Sequence, residues 1–298
     1  MPLLAAALLL LVPTAAIAQS EPAAPAELTG TLAKARRSGA LNIAYRESSV
    51  PFSYLSARGE PIGYSIELCR KLVEAIGEAV GRELAIKWLP VTSESRIEAI
   101  TSGRADLECG STTSNLERQK LVAFSPTFFV SGTKLMVKSG SSIKSFRDLG
   151  GKTVAVTAGT TNEKAMRDLG LKFKIDLRLL VTRDHADSYA QLAAGKVDAF
   201  ATDDVLLYGL IAQNQAKGKL QVIGEFLSYD PYGIMYRKGD AQFAAVLNNA
   251  FHDLAEDGEI ERQYKRWFLT RLSSGASIDL PMSPQLETLI RAMAARPE

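Results

Sequence analysis

Histidine and cysteine are scarce in this sequence, which contains two of each among 298 residues. Neither His185 nor His252 is accompanied by a cysteine or by a second histidine, which argues against a zinc centre. No glycine-rich nucleotide fingerprint occurs, and no pattern pairs a nucleophile with a base. The sequence therefore predicts a protein without a metal, a cofactor or a catalytic activity.

Excess charge and long apolar runs are also lacking. The net charge is +2, from 35 basic and 33 acidic residues, so the composition gives no reason to expect nucleic acid or an anionic membrane as partner. A membrane-spanning helix needs roughly 20 apolar residues, and no segment after the N-terminal region is apolar enough. With 46% hydrophobic and 23% charged residues, the chain has a globular composition and is long enough for two domains.

The N-terminus has the pattern of a cleaved secretory signal. A short apolar stretch ends at Val12 and is followed by the small-x-small site Ala16-Ile17-Ala18. No lysine or arginine precedes the apolar stretch. We expect residues 1–18 to be a signal peptide that directs export to the periplasm and is cleaved near Ala18. The alternative is an N-terminal anchor that stays attached.

The two cysteines, Cys69 and Cys109, leave two alternatives open. An even cysteine count in an exported chain permits a disulfide. Two buried free thiols would also pack well, because a thiol behaves as a small apolar group. The disulfide is the favoured alternative.

Hydrophobic spacing predicts alternating strands and helices. Leu41–Tyr45 is expected to be a buried strand, and Ser65–Val80 a helix with Ser65 as its cap. Phe243–Trp267 is expected to be one long helix. The tail from Ser273 contains a short amphipathic helix that we expect to dock loosely or to stay mobile.

One pattern occurs twice, in residues 102–113 and again in residues 194–204. Each copy consists of a helix end, a glycine, a basic residue, one further residue, an aspartate, a short strand and then polar residues. Self-similarity of this kind predicts two lobes of the same α/β architecture. Ligands of such sheets bind beyond the carboxyl ends of the strands. Polar residues lie at these positions in both copies and again after a strand at Thr153–Val156: Ser111, Thr113, Asp203, Asp204, Thr160 and Thr161.

Eight segments between about residues 30 and 270 resemble, in order, the family-3 solute-binding proteins of ABC transporters, in particular the glutamate- and aspartate-binding members. The segments are Arg46-Glu-Ser-Ser-Val-Pro-Phe-Ser-Tyr54, Gly63-Tyr-Ser65, Thr92-Ser-Glu-Ser-Arg96, Glu108-Cys-Gly-Ser-Thr-Thr113, Leu116-Glu-Arg118-Gln-Lys120, Thr157-Ala-Gly-Thr-Thr161, Asp184-His-Ala-Asp-Ser188 and Thr202-Asp-Asp204. Such an ordered series is far more specific than any single motif.

The resemblance implies a type II periplasmic-binding-protein fold, with two α/β lobes, two crossover strands and ligand in the cleft between the lobes. The first lobe is expected to comprise residues 30–133 and 232–270, the second lobe residues 134–231, and a C-terminal tail residues 273–298. The implied function is capture of L-glutamate or L-aspartate by a monomer that delivers it to the permease subunits of an ABC transporter.

The resemblance also implies a set of ligand-binding residues. Arg118 is expected to bind the α-carboxylate of the ligand with Thr113 and Thr161, and Asp203 to bind the α-ammonium with Ser111. A second group would hold the side-chain carboxylate: Arg46, Ser93, Arg96 and His185. Three arginines against one aspartate favour a ligand with two carboxylates, because the planar guanidinium binds carboxylate oxygens in pairs.

Alternatives accompany this interpretation. Ser93 could merely cap the helix that carries Arg96, and His185 could be an exposed loop residue. A cyclohexadienyl dehydratase-like enzyme on the same fold would need an acidic group where this chain has Arg46 and Arg96. A ligand-sensing module for a signalling receptor is a third possibility. Residue types alone do not distinguish glutamate from aspartate.

Overall fold

The computed structural model describes residues 27–272 and 274–295, so the predicted signal peptide lies outside the described residues. Within these ranges, no helix combines the length and apolar composition needed to cross a membrane. The strands are β1 Ala40–Tyr45, β2 Ser48–Ser49, β3 Ser53–Leu55, β4 Pro61–Ile62, β5 Ala85–Pro90, β6 Leu107–Glu108, β7 Val122–Phe124, β8 Phe129–Ser131, β9 Thr133–Lys138, β10 Thr153–Thr157, β11 Arg178–Thr182, β12 Ala199–Asp203, β13 Leu220–Ile223, β14 Asp230–Tyr232 and β15 Met235–Arg237. The α-helices are α1 Gly30–Ser38, α2 Tyr64–Val80, α3 Arg96–Thr101, α4 Leu116–Gln119, α5 Thr161–Phe173, α6 His185–Ala193, α7 Asp204–Gln213, α8 Ala241–Glu256, α9 Glu259–Tyr264 and α10 Pro284–Ala294.

Two five-stranded sheets organise the molecule. The first has the strand order β5-β1-β6-β15-β7 and the second the order β11-β10-β12-β9-β13. In each sheet a central strand, β6 or β12, has a parallel neighbour on one side and an antiparallel neighbour on the other. We call the parts built on these sheets the first and the second lobe.

The repeated sequence pattern forms the same structure in both lobes. The amide of Asn42 at β1 donates to the carboxylate of Asp106 at 2.9 Å, and the amide of Thr153 at β10 donates to Asp198 at 2.8 Å. Each aspartate thus fastens the central strand to the start of its parallel neighbour. The prediction of two lobes with the same α/β architecture is confirmed, since the two copies occupy equivalent places.

Strands β8 and β14 cross between the lobes and pair antiparallel with each other. Pro231 lies within β14, opposite Val130. Proline is tolerated there because a two-stranded ladder leaves one side of each strand free of hydrogen bonds. The predicted type II fold with two crossover strands is confirmed by this arrangement and by the structural neighbours described below.

Two expectations about helices are wrong. The last long helix is not continuous: α8 ends at Glu256, and Gly258, with a φ of 68°, separates it from α9. Ser65 does not cap α2, which begins at Tyr64. Its hydroxyl donates instead to the carbonyl of Gly110 at 2.7 Å.

The C-terminal tail packs into the first lobe. Helix α10 lies against α8, and the side chains of Leu286 and Ile290 are each 1% exposed. Nearer the start of the tail, the hydroxyl of Ser274 donates to the carbonyl of Ala212 in α7 of the second lobe at 3.2 Å. The tail is therefore an integral part of the hydrophobic core, contrary to the expectation of a loosely docked segment.

Cys69 of α2 and Cys109, the residue after β6, are joined by a disulfide, with their Cα atoms 6.3 Å apart. Both residues are fully buried. The crosslink fastens α2 to the segment that leads from the first sheet to Ser111 and Thr113.

Candidate functional site

The two lobes meet around a cluster of buried polar side chains. The structure brings together residues from the carboxyl ends of strands in both sheets, as expected for parallel α/β sheets. In the first lobe these residues follow β1, β5 and β6, and in the second lobe they follow β10 and β11 or end β12. Of the nine predicted ligand-binding residues, Thr161 is half-buried and the other eight are buried: Arg46, Ser93, Arg96, Ser111, Thr113, Arg118, His185 and Asp203.

Arg46 and Arg96 are buried cations with too few acceptors. Among the described residues, neither terminal nitrogen of Arg46 has a hydrogen-bond partner, and neither does Nε of Arg96. Burial and then repulsion by Arg96 lower the pKa of Arg46 to about 9, against the opposing attraction of Glu108. Leaving a buried charge unpaired costs several kcal/mol, roughly 3–5 when a partner is removed. The arrangement therefore calls for an anion.

Arg118 joins the two lobes. Its Nη1 donates to the carbonyl of Thr113 at 2.9 Å, and its Nη2 donates to the carbonyl of Gly159 in the second lobe at 3.2 Å. Burial, followed by repulsion from Arg96, lowers the pKa of Arg118 to about 9. Thr113 and Thr161 lie alongside, with their hydroxyl oxygens 3.4 Å apart across the cleft.

Asp203 lies at the end of β12 and is 3% exposed. Its Oδ1 accepts a hydrogen bond from Nδ2 of Asn162 at 2.7 Å, and its Oδ2 accepts one from the hydroxyl of Tyr232. Burial and then repulsion by Asp230 raise the pKa of Asp203 to about 8, although both hydrogen bonds act in the opposite direction. A ligand ammonium at this place would supply the missing positive charge.

The pKa of Asp203 predicts how pH affects the ligand-free protein. The carboxyl of an open, solvated Asp203 has a pKa of about 3.9, so between about pH 4 and about pH 8 the closed form binds one more proton there. His185 has the opposite effect, since it binds fewer protons in the closed form: burial, Arg46 and Arg96 lower its pKa there well below 6.5. Lowering the pH from about 8 to about 6.5 should therefore favour closure, and further acidification should add little.

Energy transfer between dyes on the two lobes measures this equilibrium. Asp203→Asn should abolish the rise in the closed fraction, and His185→Gln should extend the rise down to about pH 4. A free protein that opens steadily as the pH falls from 8 to 6.5 would contradict the assignment.

The structure discriminates between the alternatives for Ser93 and His185. Ser93 is buried, its hydroxyl makes no hydrogen bond within the described ranges, and the N-cap of α3 is Ser95. His185 is 2% exposed and begins α6, with its Nδ1 2.9 Å from the hydroxyl of Thr157. Both side chains lie inside the cluster, so the capping and exposed-loop alternatives do not hold. Thr160, rather than Thr161, caps α5.

A cavity of about 130 Å³ opens beside Arg46, between the lobes. Its walls come from the loops after β1 and β5 in the first lobe and from the start of α6 in the second: Arg46, Glu47, Ser48, Pro90, Val91, Thr92, Ser95, Arg183 and Asp184. It extends the cleft outwards from the guanidinium groups.

Five further polar residues of the cluster escaped the sequence analysis, namely Glu108, Thr112, Asn162, Asp230 and Tyr232. Glu108 is fully buried and Asp230 is 1% exposed, so the count of three arginines against one aspartate was incomplete. Glu108 did leave a signal, because an acidic residue between Leu107 and Cys109 interrupts a buried apolar strand. Asn162, Asp230 and Tyr232 left none, since each contacts Asp203 or Thr113 from a distant part of the chain.

Known proteins are similar to this chain over most of its length. It is 41% identical over 274 residues to the L-glutamate/L-aspartate-binding protein of Pseudomonas aeruginosa, and the match covers 91% of each chain. It is 37% identical over 289 residues to the glutamate/aspartate import solute-binding protein of Escherichia coli K12, covering 96% of this chain and 95% of that one.

Solved structures share the fold. An ancestral amino-acid-binding protein, described as a precursor of cyclohexadienyl dehydratase, is 28% identical with a TM-score of 0.70, and the match covers 80% of this chain and 99% of that one. Residues 41–270 match the model of the bacterial extracellular solute-binding proteins, family 3. The relatives are binding proteins and not enzymes. The chain belongs to family 3 of the bacterial extracellular solute-binding proteins.

Proposed function

We propose that this protein captures L-glutamate or L-aspartate and delivers it to the permease of an ABC transporter. The observation that carries the proposal is the pair of buried guanidinium groups of Arg46 and Arg96: both terminal nitrogens of Arg46 and Nε of Arg96 lack acceptors among the described residues. A side-chain carboxylate of the ligand would supply those acceptors. The names of the similar proteins support the same ligand class.

The remaining contacts account for the rest of an amino acid. Arg118, with the hydroxyl groups of Thr113 and Thr161, would hold the α-carboxylate, since all three meet where the lobes touch. Asp203 would bind the α-ammonium, with Ser111 as a further partner. The side-chain carboxylate would lie among Arg46, Ser93, Arg96 and His185, where the neutral imidazole still offers one donor.

The energetics are sufficient for useful affinity. Each charge-assisted hydrogen bond contributes roughly 1.5–3 kcal/mol. Ordering a ligand in a closed cleft costs on the order of 4–15 kcal/mol, and a micromolar complex needs about −8 kcal/mol net. Several such bonds to each carboxylate cover both amounts.

The setting of this activity is proposed on the same basis. The protein would be exported to the periplasm after cleavage near Ala18 and would act as a monomer. Its first lobe would comprise residues 30–133 and 232–270, and its second lobe residues 134–231. Residues 273–298 would form a tail attached to the first lobe.

Isothermal titration calorimetry of the mature protein with glutamate, aspartate and glutamine tests the proposal. We expect at least one of the two acidic ligands to bind on the order of 100-fold more tightly than glutamine, because an amide leaves a buried cation unpaired. Tighter binding of glutamine than of either acid would refute the proposal.

A further inference from the structure

Glu108 is a fully buried carboxylate beneath the proposed side-chain pocket, at the end of β6. Its Oε2 accepts a hydrogen bond from the hydroxyl of Thr112 at 2.6 Å. The same hydroxyl of Thr112 accepts a hydrogen bond from Nη1 of Arg96 at 2.7 Å. Its Oε1 is buried and has no hydrogen-bond partner within residues 27–272 and 274–295. Glu108 is thus linked to Arg96 through one hydroxyl group.

Glu108 also lies against Arg46. A Cβ atom at Gly110 would be 2.3 Å from Oε1 of Glu108 and 3.0 Å from Cγ of Arg46, so both side chains pack on the same bare glycine. Its negative charge raises the pKa of Arg46, Arg96 and Arg118, and in Arg96 it is the largest influence that opposes burial. An acidic side chain at this position repels an acidic ligand, so its presence in the site has to be explained.

The charge of the pocket supplies that reason. Arg46 and Arg96 contribute two positive charges, and His185 is neutral because burial and both arginines lower its pKa well below 6.5. Without Glu108 the pocket would enclose a charge of +2 against a single ligand carboxylate. Enclosing surplus charge away from water is costly.

We propose that Glu108 determines the specificity of the site by setting the net charge of the side-chain pocket at +1, the charge that one carboxylate neutralises. The inference rests on the proposed function. It assigns Glu108 a role through charge, in addition to its hydrogen bond with Thr112. Because Glu108 weakens the field that acts on an acidic side chain, it limits how strongly the site prefers an acid to the isosteric amide.

The test is the ratio of the dissociation constants of glutamine and glutamate, measured by calorimetry for the mature protein and for Glu108→Gln. The two ligands have almost the same shape, so steric effects cancel in the ratio. We expect Glu108→Gln to raise the ratio by on the order of 10-fold or more, because the amide keeps an acceptor for Thr112 and removes only the charge. A ratio that stays within about twofold, or that falls, would overturn the proposal.

Thr112→Val is the matched control, since it removes the link between Glu108 and Arg96 and keeps the charge. Its affinity for both ligands should fall, because Nη1 of Arg96 loses its acceptor, but its ratio should rise far less than that of Glu108→Gln. An equal rise in Thr112→Val would assign the effect to the orientation of Arg96 and overturn the role of charge. If Glu108→Gln does not fold, Glu108→Ser gives the same comparison. Failure of the proposed function is distinguishable, because the unmodified protein would then not prefer either acid to glutamine.

Discussion

Replacing Arg46 with methionine should reduce the affinity for the acidic ligand by about 100-fold or more while leaving the protein folded. Truncating one member of a buried, hydrogen-bonded charge pair costs roughly 2–5 kcal/mol of binding free energy, and each 1.4 kcal/mol is a factor of ten. Both terminal nitrogens of Arg46 lack acceptors among the described residues, so their hydrogen bonds are available to a ligand. Calorimetric titration with glutamate and aspartate measures the effect.

Folding should not suffer from this change. Methionine fills much of the volume of the arginine stem, and replacing a buried charge with an apolar side chain is often neutral or stabilising. Urea unfolding of the ligand-free variant should therefore give a free energy of unfolding no more than about 1 kcal/mol below that of the unmodified protein. A large loss of stability would mean that Arg46 contributes mainly to the stability of the fold and not to ligand binding.

Arg183→Met is the matched control for the change in net charge. Arg183 lines the same outer cavity, but its side chain is 73% exposed and pairs with Asp184. Exposed ion pairs contribute little, so the affinity should change by only a few-fold. Comparable losses in Arg46→Met and Arg183→Met would contradict a specific role for Arg46 and point to long-range attraction instead.

The sequence predicted those parts of the fold that depend on local patterns. The two copies of the Gly-basic-x-Asp pattern form equivalent strands, in which Asp106 and Asp198 accept the same hydrogen bond from the neighbouring parallel strand. Ser65 was wrongly predicted to cap α2, because its hydroxyl donates instead to the distant carbonyl of Gly110. The break at Gly258 was missed because the apolar spacing continues from α8 into α9. The packing of the tail was not predicted, because Leu286 and Ile290 pack against α8, which lies far from them in the sequence.

The candidate site likewise contains residues that the sequence predicted and residues that it did not. Asp203 is found from the sequence because it ends a strand and the ends of parallel strands converge, whereas Arg46 was identified through the family resemblance. Tyr232 and Asp230 contribute from the second crossover strand, and nothing local distinguishes them from ordinary strand residues. Their contacts with Asp203 and Thr113 exist only because β14 returns past the cleft.

The two lobes also make a close contact at Gly209. This residue is buried in α7 of the second lobe, and a Cβ atom there would lie 2.2 Å from the carbonyl oxygen of Val50 in the first lobe. The lobes can approach this closely only because glycine has no side chain. In a helix, alanine is otherwise better than glycine by about 0.8–1.0 kcal/mol.

Gly209→Ala should therefore weaken ligand binding without weakening the fold. Inserting a methyl group into a filled contact costs roughly 1–3 kcal/mol, which falls on the closed form alone and corresponds to about a 5- to 150-fold loss of affinity. Gly170→Ala is the matched control, because its nearest atoms belong to Leu177 and Ile175 of the same lobe. Calorimetry should detect the loss for Gly209→Ala only, and small-angle scattering should show that the ligand-bound variant is less compact. Unchanged affinity in a folded Gly209→Ala protein would mean that the lobes need not meet at Val50 to hold the ligand.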